Sequence, residues 1–126
     1  LDFPQSVFFD ASSNALLIVD SSNHRVQKWF VGATNGTTIA GQSNGSNGSD
    51  LNHLDSPSSL QIDANGSLYV SDTNNHRIVL WNLQSASASA GTLIVGNGLI
   101  DGRTFLFSTF VRCSLGTAGS TMDQLD

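Results

Sequence analysis

Three histidines, His24, His53 and His76, stand among ten aspartates in a chain of 126 residues that has no glutamate. Imidazole and carboxylate together make up the ligand set of zinc and the working pair of acid-base catalysis. The spacing points elsewhere. His24 lies in Asp20-Ser-Ser-Asn-His-Arg25 and His76 in Asp72-Thr-Asn-Asn-His-Arg77, equivalent places in a repeated hexapeptide, and only His53 is outside it. One histidine is not a metal site. Asp72-Thr73-Asn74 opens like a calcium loop, but Ser22 stands where Asn74 would be in the first copy, and no glutamate can fill the bidentate position. Serines are plentiful without the spacing of a nucleophile elbow, and Cys113 has no second cysteine to pair with. No catalytic residue, metal ligand or cofactor is therefore assigned.

The elements that must position these residues are set by a repeat. Leu1-Asp2-Phe3-Pro4 matches Leu54-Asp55-Ser56-Pro57 and Asp10-Ala11 matches Asp63-Ala64 at a spacing of 53; after one extra residue in the turn Ser12 to Ala15, the two hexapeptides and Trp29 with Trp81 match at 52. Thr37 to Gly41 recurs as Thr92 to Gly96, and Gly48 to Asp55 is echoed by Gly119 to Asp126. Each unit holds four short runs of Val, Ile, Leu and aromatics fenced by Asn, Gly, Ser and Asp. The expected strands are Val7 to Asp10, Leu16 to Asp20, Arg25 to Trp29 and Thr37 to Ala40, then Leu60 to Asp63, Leu68 to Asp72, Arg77 to Trp81 and Thr92 to Val95. Runs such as Leu16-Leu17-Ile18-Val19 are apolar at successive positions, and neighbouring strand residues point to opposite faces, so both faces of each sheet call for burial. Four antiparallel strands per unit, sandwiched between like sheets, is the pattern of a β-propeller blade. The expected fold is all-β, an incomplete propeller of two four-stranded antiparallel blades and the start of a third. Its parts are residues 1–53 (first blade and connecting loop), 54–98 (second blade), 99–115 (an irregular insertion) and 116–126 (the start of a third repeat). The insertion carries Phe105, Phe107 and Phe110 and breaks the repeat, which fits either a true insertion or a gene-model error.

Asp72-Thr-Asn-Asn-His-Arg-Ile, with Pro57 ahead and Trp81 behind, closely resembles the NHL repeat, and Asp20-Ser-Ser-Asn-His-Arg-Val is similar to it. The two matches cover roughly Leu1 to Gly41 and Leu54 to Gly96. The resemblance implies blades of a propeller that usually has six. It implies three kinds of role: a noncatalytic interaction scaffold, including the substrate-recruiting part of a ubiquitin ligase; a metal-dependent enzyme like the peptide-amidating lyases; or an RNA-binding propeller.

Within the hexapeptide, the first Asp is expected to accept backbone N–H bonds from the turn, the Asn to adopt the left-handed conformation that closes it, and the Arg to start the returning strand opposite the Asp. Asp20, Asn23, His24 and Arg25, with Asp72, Asn75, His76 and Arg77, are thus read as structural. Antiparallel order brings these turns to the same end as the polar connection Gly41 to Pro57, where Asn44, Asp50, His53 and Asn74 form a candidate ligand face suited to protein, peptide or glycan.

Charge narrows the partners. Five Lys plus Arg against ten acids give a net charge of -5, which makes nucleic acid an unfavourable partner. The longest apolar runs, Leu16 to Val19 and Leu93 to Val95, are too short to cross a bilayer as helices, so no membrane is expected. Sequons at Asn35, Asn44, Asn47 and Asn65 tip an otherwise unknown location towards the extracellular side. Two blades leave apolar outer faces, so the remaining blades are expected from the same longer chain or from self-association.

Overall fold

Short apolar runs separated by Asn, Gly, Ser and Asp turns pair with their sequence neighbours, because a short hairpin closes at little entropic cost. In the computed structural model, which describes residues 1–84 and 90–96, this yields eight strands. They are β1 (Pro4–Asp10), β2 (Ala15–Asp20), β3 (Arg25–Phe30), β4 (Thr37–Gly41), β5 (Ser59–Ile62), β6 (Ser67–Asp72), β7 (Arg77–Asn82) and β8 (Thr92–Val95). They form two four-stranded antiparallel sheets, ordered β1-β2-β3-β4 and β5-β6-β7-β8. We call these blade 1 and blade 2. The expected segments 99–115 and 116–126, and residues 85–89 between the third and fourth strands of the second unit, lie outside the described residues.

Register repeats along with topology. Asp20 pairs with Arg25 at the β2/β3 turn, and Asp72 with Arg77 at the β6/β7 turn. The last strand of each blade slips at the same place, between Val26 and Gln27 in blade 1 and between Ile78 and Val79 in blade 2. Such an irregularity bends and twists a strand, and its recurrence shows that both sheets have the same local shape. The glycine ending each fourth strand is equally fixed. Gly41 and Gly96 have φ of +81° and +88°, and an added Cβ would meet the His24 or His76 carbonyl oxygen at 2.5 or 2.3 Å.

One core lies between the blades. Blade 1 turns Leu17, Val19, Val26 and Ala40 towards blade 2, which returns Leu60, Leu68, Val70, Val79 and Trp81, and Leu54 from the connection fills the same cluster. Burial on both faces, expected from the apolar runs, holds for one side of blade 1 only. Along β2 the alternating Leu17 and Val19 are fully buried while Leu16 and Ile18 are half-buried, and on the same open side Val7 and Phe9 are exposed. The strand period of two explains the split, since a single neighbouring sheet covers a single face.

A core substitution separates the two sides of the blade. Leu17→Ala should cost about 2–5 kcal/mol through lost burial and the cavity left behind. Val7→Ala on the open face should cost roughly 0.5 kcal/mol or less. Denaturant midpoints of the two variants at equal slope test this, and equal losses would place the core wrongly.

Candidate functional site

Each hexapeptide folds into one 3-10 turn between two strands: Ser21–Asn23 in blade 1 and Thr73–Asn75 in blade 2. The residue that closes it in the left-handed region is the histidine, with φ of 51° at His24 and 52° at His76, and not the asparagine as expected. The reason is hydrogen-bond geometry. Asn23 and Asn75 are held inside the turn, where their amides donate to Asp20 and Asp72 at 3.0 and 2.9 Å.

The aspartates also take their backbone donors from a different place. Asp20 Oδ1 accepts the N–H of Asp2 at 2.6 Å, and Asp72 Oδ1 accepts that of Asp55 at 2.7 Å. These donors belong to the Leu-Asp-x-Pro segment at the head of each unit, so the carboxylate clamps the head of the unit to its own turn. The other oxygen accepts from Arg25 Nε at 2.9 Å or Arg77 Nε at 2.7 Å. Both carboxylates are fully buried, so these are internal ion pairs that pin the strand register.

The arginines reach beyond their own blades. Arg25 Nη1 donates to the Ser43 carbonyl at 2.8 Å. Arg77 donates to the carbonyls of Ser49 and Asp50, both at 2.7 Å, and of His53 at 3.1 Å, and the Asn75 amide donates to Gly48 at 2.8 Å. The connecting loop is therefore fastened by its backbone to the two turns. This differs in consequence between the blades. At Asp20 burial works to raise the carboxyl, but the Asp2 N–H, the Arg25 guanidinium and the Asn23 amide outweigh it and hold the group below the ordinary carboxylate value. At Asp72 burial prevails and pushes the carboxyl up, against the Asp55 N–H, Asn75 and Arg77.

Residues 54–79 match the family described as NHL repeat, and the matched segment includes the whole second turn. NHL repeat-containing protein 2 of Bos taurus is 36% identical over 108 residues, covering 81% of this chain and 15% of that protein. The human protein of that name is 33% identical over the same length, and that of Gallus gallus is 34% identical over 90 residues. The chain belongs to the NHL repeat family. It spans only about 15% of the length of the bovine and human relatives.

The NHL turns and the connecting loop place the candidate ligand residues as follows. Asp50 is exposed; it accepts from Asn52 N–H at 2.8 Å and bonds His53 Nδ1 at 2.7 Å, which keeps its carboxyl below the ordinary value. Asn74 is exposed and donates to Asp55 Oδ1 at 3.1 Å. Asn44 is exposed on the blade 1 side, beside Gly45, which approaches Asn23. The structure thus joins Asp50 to His53 and sets Asn44 apart from that pair at the other turn. Among the described residues no group of three or more His, Cys, Asp or Glu is arranged to hold a metal ion, and no helix is long and apolar enough to cross a membrane.

The opposite end of the blades holds a feature that sequence reasoning missed. A cleft of about 630 Å³ runs between the β1/β2 and β5/β6 turns, lined by Phe8, Asp10 and Lys28 of blade 1 and Ile62, Asp63 and Gln84 of blade 2. The matched Asp10 and Asp63 marked the repeat, but nothing in the sequence showed that their turns would face each other across a gap.

Two measurements probe the clamps. Arg77→Ala strands a buried carboxylate and frees three carbonyls, so it should cost about 3–5 kcal/mol. Arg25→Ala should cost less, because Arg25 is more exposed and holds one loop carbonyl. In the pH dimension, Asp20 has a lowered folded value, so its contribution is present above the unfolded value near ~3.9 and is lost as pH falls through the folded one. Asp72, with its raised value, has the opposite sign and offsets part of this loss. Between about pH 6 and about pH 3 the parent chain should lose more stability than Asp20→Asn; parallel curves would show that Asp20 is not held low.

Proposed function

We propose that this NHL segment is a noncatalytic interaction scaffold whose ligand face is the polar end formed by Asn44, Asp50, His53 and Asn74. The carrying observation is the fastening of the loop between the blades: three carbonyls of residues 49–53 are held by one buried guanidinium. A loop fixed through its backbone presents its outward groups in one arrangement, so a partner does not have to order them on binding. Those groups are carboxylate, amide and imidazole, which suit the peptide groups and polar side chains of a protein or peptide, and also the hydroxyls of a glycan. The three cations among the described residues are engaged elsewhere, Arg25 and Arg77 in the clamps and Lys28 at 3.8 Å from Asp10, which favours a protein or peptide over nucleic acid. The finer version, recruitment of substrate to a ubiquitin ligase, calls for a RING or B-box in the complete gene product.

The test is selection of binding peptides from a displayed library against the 126-residue chain. Combined Asn44→Ala, Asp50→Ala and Asn74→Ala replacement should abolish binding of the selected peptides while leaving the melting temperature within a few degrees, because these side chains are exposed. Phe9→Asp, on the open sheet face, should bind them as the parent does. Selected peptides indifferent to the triple replacement would remove this face as the site.

A further inference from the structure

The seam between the blades closes on a histidine used as an acceptor. His24 ends the turn of blade 1, and its Nδ1 accepts the backbone N–H of Ser56, in the head of blade 2, at 3.0 Å. Accepting at Nδ1 requires the neutral ring with its proton on Nε2. A proton added at Nδ1 would set two donors head to head, so the bond to Ser56 and a charged His24 exclude each other.

A second acceptor lies beside the same nitrogen. Asp55 Oδ1 is 3.5 Å from His24 Nδ1, and while the ring is neutral both atoms are acceptors, so this approach carries no bond. Once Nδ1 is protonated the two become cation and carboxylate, and a small rotation of the ring exchanges a neutral hydrogen bond for a charge-assisted one. The Asp55 carboxylate accepts from the Asn74 and Asn47 amides, both at 3.1 Å, and from Ser56 Oγ at 3.3 Å, all neutral donors. The His24 and Asp55 side chains are 22% and 24% exposed, so a solvent proton can reach them. The other charged groups around the seam are engaged: Arg25, next in the chain, with Asp20 and the Ser43 carbonyl; Asp72 with Arg77 and the Asp55 N–H; and His53 with Asp50 at 2.7 Å.

We infer that His24 is a proton-operated latch on the blade seam: neutral, it holds the Ser56 N–H, and on taking a proton from solvent at Nδ1 it releases that N–H and turns to the Asp55 carboxylate. Imidazole is the side chain suited to such a change between about pH 5 and about pH 8. The release concerns the seam and not the fold of the segment. Phe3, the counterpart of Ser56, has a φ of 50° against 49° with no histidine bond among the described residues, and the Asp2 and Asp55 N–H groups are clamped alike by Asp20 and Asp72. The head of blade 2 therefore keeps its own clamp while its tie to blade 1 opens. The latch needs no ligand and stands separately from the function proposed above.

The test is an NMR titration of the 126-residue chain from about pH 8 to about pH 5, following the His24 ring signals and the hydrogen-exchange protection of the Ser56 N–H. The Ser58 N–H, held by the Ser71 carbonyl inside blade 2 at 3.1 Å, serves as reference. Protection of Ser56 relative to Ser58 should fall roughly three- to tenfold as the His24 ring takes its proton, with one midpoint for both. His24→Asn keeps the left-handed backbone and offers an amide oxygen that takes no proton, so its Ser56 protection should stay constant over the same range. Asp55→Asn removes the receiving carboxylate and should move the coupled change to lower pH. A Ser56 N–H indifferent to His24 protonation would overturn the latch, and so would an equal fall in His24→Asn, because it would assign the change to another group. An Asp55→Asn midpoint that is unmoved or raised would overturn the exchange of partners.

Discussion

A carboxylate with no access to water has to be matched at once by charge and by hydrogen bonds, and everything else in each blade is arranged around that requirement. Asp20 and Asp72 meet it with the same three groups: an arginine across the strand pair, an asparagine within the turn, and a backbone N–H from the head of the unit. Because each group comes from a different piece of chain, satisfying the charge joins the head of the unit, the turn and the returning strand in a single step. A strand slip by one residue would carry the Asp to the other face and leave an arginine unpaired, so the clamp selects the register as well as strengthening it.

The second consequence runs between units. The arginine that neutralises the carboxylate has donors to spare, and these hold the connecting loop by its carbonyls. In blade 1 the histidine that closes the turn accepts the Ser56 N–H from the head of the next unit. Structural and binding roles are therefore not separate sets of residues. The repeated hexapeptide fastens the loop, and the loop's own Asn44 and Asp50 face outward. The two carboxyl groups nevertheless move in opposite directions: desolvation prevails at Asp72, whereas at Asp20 the hydrogen-bond and charge partners prevail.

A repeat also makes the interior of the molecule a guide to its surface. The seam between the blades is a worked instance of how one unit receives the next. Val7 and Phe9, exposed on blade 1, occupy the places that Leu60 and Ile62 hold in the seam.

The eight strands, their order and the equivalence of the two units were legible in the residues alone, because alternation and turn chemistry act over a few positions and the repeat states them twice. Half of the strand ends coincide with the expected ones and the rest differ by one residue, except at Pro4, where pairing with Asp20 extends β1 three residues past its apolar stretch. Which residue of the turn is left-handed, which N–H the aspartate receives, and which face of blade 1 is covered could not be read. The first turns on a choice between neighbours three positions apart, Asn23 with Asp20 and Asn75 with Asp72; the others depend on groups brought together from 17 or more positions away, such as Asp2 with Asp20 and Asp55 with Asp72. Local pattern determines that a strand has two faces; only the packed neighbour decides which of them is dry, and only the closed clamp decides where a buried charge finds its partners.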